Sequence, residues 1–251
     1  MSYKNTVAKN FDIGSYNYDN IAHVQNRAAQ ELVQKIKDFC ILKNCASVLD
    51  IGTGTGTASQ LLCDILPNAT YYLNDISVEM LKVATSKFKT LGVKFEVVYG
   101  DAEMMHFHMV DLVISNFAMQ WFYDIESTLL NLSKIGNIIA FSMPIRGSFQ
   151  HLEDFYKQYN VPSNISNYQS FDEIVKICLS LKPLHYQFDK IRYNVSHPTP
   201  LHFMRHLKSL GAGTTKYDVP KKVLYQFARN KESFIANYDV FFGILLCNHL
   251  R

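Results

Sequence analysis

The chain has 251 residues, 48% apolar and 19% charged, which is enough to bury one sizeable core and too apolar for a disordered segment. Its net charge of +3 lacks the strongly basic balance of a dedicated DNA binder. The start holds no continuous apolar run of the secretory type, and the longest late one, 240–247, is too short to span a bilayer, so a cytoplasmic protein without membrane contact is expected.

Apolar residues at 21, 24, 28, 32, 33, 36 and 39 recur at helical spacing and predict an amphipathic helix leading into a strand at 47–51. A helix over 58–65 and the β-like run ATYYLND at 69–75 follow. The next helix, 78–91, stops at Gly92, a residue suited to the left-handed position that ends a helix. KFEVVYGD at 94–101 and DLVISNF at 111–117 read as strands, then a helix over 125–135 stops at Gly136 before the strand IIAFSM. Five β-α units with apolar strands and short connections predict a parallel sheet covered on both faces. Beyond Pro144 the pattern predicts helices over 146–159 and 171–181, a strand over 184–195, helices within 198–229 and a last strand over 239–247. The expected fold is α/β: a Rossmann-like sheet of seven mostly parallel strands in a single domain over 1–251, with a helical cap at about 197–232 between the last two strands. Five scattered cysteines, Cys40, Cys45, Cys63, Cys178 and Cys247, lack CxxC spacing and predict reduced, mostly buried thiols.

One stretch resists a purely structural reading. VLDIGTGTGTAS at 48–59 sets three glycines on alternate positions directly after a buried strand, where glycine weakens packing and costs backbone entropy. The dinucleotide fingerprint leaves two residues before its last glycine, and a P-loop needs a Lys after the glycines; neither is present. The spacing therefore favours a phosphate-free ligand that approaches bare backbone and tolerates Asp50, such as one carrying an amine and a sulfonium.

The loop resembles the acid-x-Gly-x-Gly-x-Gly motif of class I S-adenosylmethionine-dependent methyltransferases. Asp75 closes the second strand, Asp101 the third and Asn116 the fourth. The resemblance implies S-adenosylmethionine as cofactor, S-adenosylhomocysteine as product, and a cofactor set of Asp50, Gly52, Thr53, Gly54, Gly56, Asp75, Ile76, Asp101, Ala102 and Asn116. Asp75 would accept the ribose hydroxyls, Asp101 would meet the adenine amine, and residues 1–40 would cover the site.

No DPPY or NPPY follows the fourth strand, which weakens a base-flipping nucleic-acid enzyme. The stretches NFDIGSYNYDNIAHVQ, DISVEML, SNFAMQWFYD, RGSFQHL, MRHLKSLGA and YDVFFGILL, in that order along the chain, resemble the malonyl-[acyl-carrier protein] O-methyltransferases of biotin synthesis. That resemblance implies methyl transfer to the free carboxylate of a malonyl thioester on acyl carrier protein, with malonyl-coenzyme A as a poorer acceptor. Residues 160–200 match loosely and carry nothing over.

A carboxylate is ionised at neutral pH, so no catalytic base is required, but a cation is expected to hold it. Arg205 and Lys208 share a helix face, with Arg205 the first candidate, Lys208 facing either the acceptor or the carrier, and Arg146 a weaker choice. Tyr18 is expected to close the site, with Tyr16 secondary, and Gln120 and Trp121 either pack in the core or shape the acyl pocket. His106 and His108 have no accompanying acid or Cys pattern, so no metal is expected. Residues 182, 190, 192, 205, 208, 216, 221, 222, 229 and 231 are Lys or Arg, against Asp189 and Asp218, which suits an acidic carrier protein; a nonspecific nucleic-acid surface is the rival, and no nucleic acid is expected. Two other functions stay open: another small-molecule methyltransferase, for example on a quinone precursor, recognisable by an uncharged aromatic pocket, and a non-catalytic S-adenosylmethionine-binding protein.

Overall fold

The computed structural model describes residues 2–39, 42, 44–162, 164–212 and 219–247. Seven strands form one sheet: β1 (Ser47–Ile51), β2 (Thr70–Asp75), β3 (Lys94–Tyr99), β4 (Val110–Asn116), β5 (Gly136–Pro144), β6 (His185–His197) and β7 (Phe234–Leu246). They lie in the order β3-β2-β1-β4-β5-β7-β6. All neighbours are parallel except β7, which runs antiparallel to both β5 and β6. The strand order reverses between β1 and β4, so the switch-point crevice opens beyond the carboxyl end of β1, where the glycines stand.

Side chains alternate across each strand and fill two separate apolar layers. Val48, Tyr71, Leu73, Leu112 and Ile114 pack against α3 (His23–Phe39), α4 (Thr57–Cys63) and α5 (Val78–Leu91) on one face. Leu49, Ile51, Val113, Ile139 and Phe141 pack with α6 (Ile125–Leu132) and α8 (Phe171–Ser180) on the other. α5 ends as the sequence predicts, with Gly92 left-handed at φ 69°.

Three elements depart from expectation. A helix absent from the sequence reading, α1 (Tyr3–Gly14), precedes the short α2 (Tyr18–Ile21). α7 (Gln150–Gln158) starts four residues late, because Ser148 is bound back to β7: its hydroxyl donates to the Asp239 carbonyl and accepts the Asp239 N–H. β7 starts five residues early, since β6 pairs with it from His185 opposite Leu246 to His197 opposite Phe234. Between these two strands lie α9 (Pro200–Ser209) and α10 (Lys221–Ala228), with residues 213–218, and hence Lys216 and Asp218, outside the described residues; so is Cys40. Cys45 is half-buried, and Cys63, Cys178 and Cys247 are buried free thiols.

Candidate functional site

A cleft beyond β1 and β2 is lined by the glycine loop, the ends of β2, β3 and β4, and the N-terminal helices. Gly52 and Gly54 are left-handed, at φ 64° and 56°. A Cβ on Gly52 would collide with the Ala118 Cβ, so this glycine lets the loop meet the turn after β4. A Cβ on Gly54 would meet nothing within 4 Å, and the bare backbone there faces open cleft. Gly56 stands apart from the cleft lining, against Phe88 and Ala84 of α5, so its lack of a side chain serves packing.

The strand-end acids are held by hydrogen bonds. The Asp50 Oδ2 accepts from the Thr53 hydroxyl at 2.8 Å and the Ser59 hydroxyl at 2.7 Å. Asp75 takes the Gly54 N–H on Oδ2 and the Ser77 N–H on Oδ1, both at 2.8 Å, which fixes the loop to the end of β2. Burial pushes both carboxyls up to about 6, against the opposing pull of these donors. Asn74, which sequence reasoning missed, donates from Nδ2 to the carbonyls of Val98 at 2.9 Å and Gly100 at 3.1 Å, tying β2 to the end of β3. Thr53, Ile76 and Ala102 line the cleft beside them.

Asp101 also lines the cleft, but it is not free. Lys4 of α1 reaches its Oδ1 at 3.0 Å and the Glu103 Oε2 at 2.5 Å, while its ammonium lies 4.7 Å from the Phe122 ring centroid. Glu103 in turn accepts the N–H groups of Tyr123 and Asp124. Asn116 lines the cleft with both ends of its amide engaged: Nδ2 donates to the Gln25 carbonyl at 3.1 Å and Oδ1 accepts the Ser142 hydroxyl at 2.6 Å.

The N-terminal helices roof the cleft, with Lys4, Val7, Phe11, Tyr18, Gln25 and Asn26 in its wall. Asp12 accepts the Ser77 hydroxyl at 2.6 Å and the Glu79 N–H at 3.2 Å, which pins α1 to the start of α5. Asp19 accepts the Thr55 hydroxyl and pairs with Lys87. Burial, with Asp75 and Asp19 nearby, holds the Tyr18 phenol far above its ordinary range, so it stays protonated. Tyr16, 97% exposed, takes no part in the wall. Of these roof contacts only that of Tyr18 carried a sequence signal, because the others pair residues distant along the chain.

The expected cations fall elsewhere. Arg205 and Lys208 are exposed on α9 and do not line the cleft. Phe203, Leu207 and Leu210, at helical spacing, turn inward and set the phase of the helix, which points positions 205 and 208 outward. Arg146 is half-exposed and paired with Glu173 at 3.2 Å. Lys190 and Arg192 lie on β6 and converge on the buried Asp239, Arg192 through a two-pronged pair, so they are not part of a free basic surface. Arg205, Lys208, Lys221, Lys222, Arg229 and Lys231 remain exposed, and none forms an ion pair with a described residue. His108 packs edge-on against Tyr72, and no group of three or more His, Cys, Asp or Glu among the described residues is arranged to hold a metal. No described helix is long and apolar enough to cross a membrane.

Trp121 lines the cleft, edge-on to Phe11 at 5.7 Å. Gln120 does not; its Nε2 donates to the Phe117 carbonyl at 2.7 Å and supports Phe117, which is left-handed at φ 55°.

A doubly wound sheet with a bare glycine loop at its switch point and acids closing three successive strands defines a class I S-adenosylmethionine-dependent methyltransferase. Residues 48–135 match the family model described as a methyltransferase domain. The YcgJ protein of Bacillus subtilis shares the fold at a TM-score of 0.62 and 18% identity, over 88% of this chain and 99% of that one. A malonyl-[acyl-carrier protein] O-methyltransferase of Neorickettsia risticii (strain Illinois) is 29% identical over 248 residues, 97% of this chain and 96% of the relative. Another of that name, from Priestia megaterium (strain DSM 319 / IMG 1521), is 31% identical over 233 residues, 86% of this chain and 84% of the relative. The chain belongs to the malonyl-[acyl-carrier protein] O-methyltransferase family.

Proposed function

We propose that the chain transfers the methyl group of S-adenosylmethionine to the free carboxylate of a malonyl thioester on acyl carrier protein, a step toward the biotin precursor. The observation that carries this reading is the extent of the relationship: it covers 97% of the chain, reaching past the methyltransferase domain at 48–135 into the roof and the cap.

The cleft suits the cofactor. Asp75 would accept the ribose hydroxyls, Asp101 and Ala102 would border the adenine, and Asp50 with the bare backbone of Gly52 and Gly54 would face the amino-acid end. When bound, the cofactor supplies an electrophilic methyl on a sulfonium. A carboxylate oxygen aligned in this cleft would take that methyl with the sulfur as leaving group, which would keep the carbon–sulfur electron pair, and no proton would have to move. An anion and a cation are consumed together, so a dry wall of low polarity favours the less charged transition state. Phe11, Phe117, Ala118 and Phe122 supply that wall, and Tyr18, held as the neutral phenol, closes it. The work left to the protein is alignment and exclusion of water.

The six exposed cations on and beside α9 and α10 suit an acidic carrier protein, with Arg205 and Lys208 now read as part of that surface. Malonyl-coenzyme A is a poorer acceptor on this reading, because it brings no acidic protein face.

The aromatic lining, and the absence of an Arg from it, favour a second reading, a small aromatic acceptor such as a quinone precursor. The deciding experiment incubates labelled S-adenosylmethionine with malonyl-, acetyl- and succinyl-carrier protein and with a hydroxylated quinone precursor. Label on the malonyl carrier alone is expected; label on the quinone precursor alone, or on nothing, overturns the proposal.

A further inference from the structure

Among the described residues three buried side-chain polar atoms have no hydrogen-bond partner: the Gln120 Oε1, the Trp121 Nε1 and the His197 Nε2. A buried polar atom left unmet is destabilising, which makes such an atom a candidate for a ligand contact. Of the three, only Trp121 belongs to the cleft wall. It sits on the 3-10 turn Met119–Trp121, directly after the left-handed Phe117 and against the Gly52 loop through Ala118, so its position is set by backbone and not by a mobile loop.

The other polar groups of the wall narrow what it binds. Asp50, Asp75 and Asp101 close β1, β2 and β3, whereas Trp121 follows β4, on the side of the cleft away from β2. Among the described residues the wall holds one cation, Lys4, and it is spent on Asp101 and Glu103. An anionic acceptor therefore finds no free cation there and has to be held by a neutral donor. An indole N–H donates and never accepts, so its partner has to be an acceptor, and a carboxylate oxygen is a strong one. Such a donor also withdraws less charge from a carboxylate than a guanidinium fork would, leaving the second oxygen nucleophilic toward the methyl.

On the reading that the acceptor is a malonyl thioester, we infer that the Trp121 Nε1–H holds one oxygen of its free carboxylate and aims the other at the reacting methyl, a role the sequence had assigned to Arg205.

Trp121 is the only tryptophan in the chain, so its emission reports on this contact directly. Wild-type protein saturated with S-adenosylhomocysteine is titrated with malonyl-pantetheine and with acetyl-pantetheine while indole fluorescence is followed. A saturable change with the malonyl compound and none with the acetyl compound is expected. In parallel, Trp121→Phe is expected to lower kcat/KM for malonyl-carrier protein by roughly 10- to 100-fold, mainly through KM, with S-adenosylhomocysteine affinity by calorimetry within about twofold of wild type. Three outcomes overturn the inference: an unchanged acceptor KM, equal losses of cofactor and acceptor binding, or emission indifferent to the malonyl group. If wild-type protein methylates no malonyl thioester, the functional reading falls first; if it does and Trp121→Phe matches it, only this assignment falls.

Discussion

On the proposed function, Asp75 would do two jobs whose demands on charge differ. In the ligand-free protein its carboxylate fixes the Gly54 and Ser77 N–H groups, yet burial raises it, like Asp50, from an ordinary 3.8 to about 6. The unfolded chain releases these protons near 3.8 and the folded chain near 6, so the folded state holds more protons between the two. Stability present below the lower value is therefore lost as pH rises through the upper one. The ionised carboxylate is also the better acceptor for ligand hydroxyls. Calorimetry is expected to show the ligand-free Tm falling between about pH 4 and about pH 6, while the increment given by S-adenosylhomocysteine grows over the same interval. Asp75→Asn is expected to make the ligand-free trend shallower, leaving the share due to Asp50, to shrink the pH dependence of the ligand increment, and to weaken S-adenosylhomocysteine roughly 10- to 100-fold; a variant whose ligand increment keeps the wild-type pH profile would remove Asp75 from the cofactor site. These acids were readable in the sequence because an acid closing an apolar run is a local pattern. Lys4 was not, since its partners Asp101 and Glu103 lie 97 and 99 positions away and only the folded roof brings them together. Arg205 misled because spacing shows which residues share a helix face, and packing decides which face turns inward.

The same limit separates the elements that were legible from the one that was not. The core strands are apolar runs ending in polar residues, and α5 carries its own stop at Gly92. α1 has no comparable face: its buried residues are Lys4, Val7 and Gly14, and its place is set by what it touches. The Lys4 pairs fasten its start over Asp101, and Asp12 fastens its end to α5. If α1 closes over the bound cofactor, as the proposed function has it, release requires some of these contacts to break. Lys4→Met keeps the apolar stem but leaves two partly buried carboxylates without their cation, at a cost of about 1–3 kcal/mol in the closed arrangement. Faster release of S-adenosylhomocysteine in stopped-flow and quicker proteolysis within residues 1–22 are expected, with a far-ultraviolet spectrum like wild type. Tyr16→Ala, at a position 97% exposed, is the matched control and should change neither. Equal release rates for Lys4→Met and wild type would show that α1 does not gate the cleft.

At the scale of the whole molecule, the proposed acceptor would be met in two places, a cleft whose one described cation, Lys4, is paired, and a cap with six exposed ones. That division suits a substrate whose reacting carboxylate needs a dry, weakly polar wall and whose carrier is a separate acidic body. Charges on an exposed cap act through water, where the Debye length is about 8 Å at physiological salt, so they govern encounter more than the chemical step. Arg205→Glu combined with Lys221→Glu and Lys222→Glu is therefore expected to raise KM for malonyl-carrier protein about tenfold or more at low salt, with kcat within about twofold. The same variant should methylate malonyl-pantetheine at the wild-type rate, because the small thioester enters the cleft without touching the cap. Adding salt should weaken carrier use by the wild-type protein and leave the variant nearly unchanged, so the two converge as exposed charges are screened. If the variant instead loses malonyl-pantetheine and malonyl-carrier protein alike, the cap is part of the reaction chamber and not a docking face. If wild-type protein binds an oligonucleotide with a steep salt dependence that the variant lacks, the basic surface serves nucleic acid instead of a carrier.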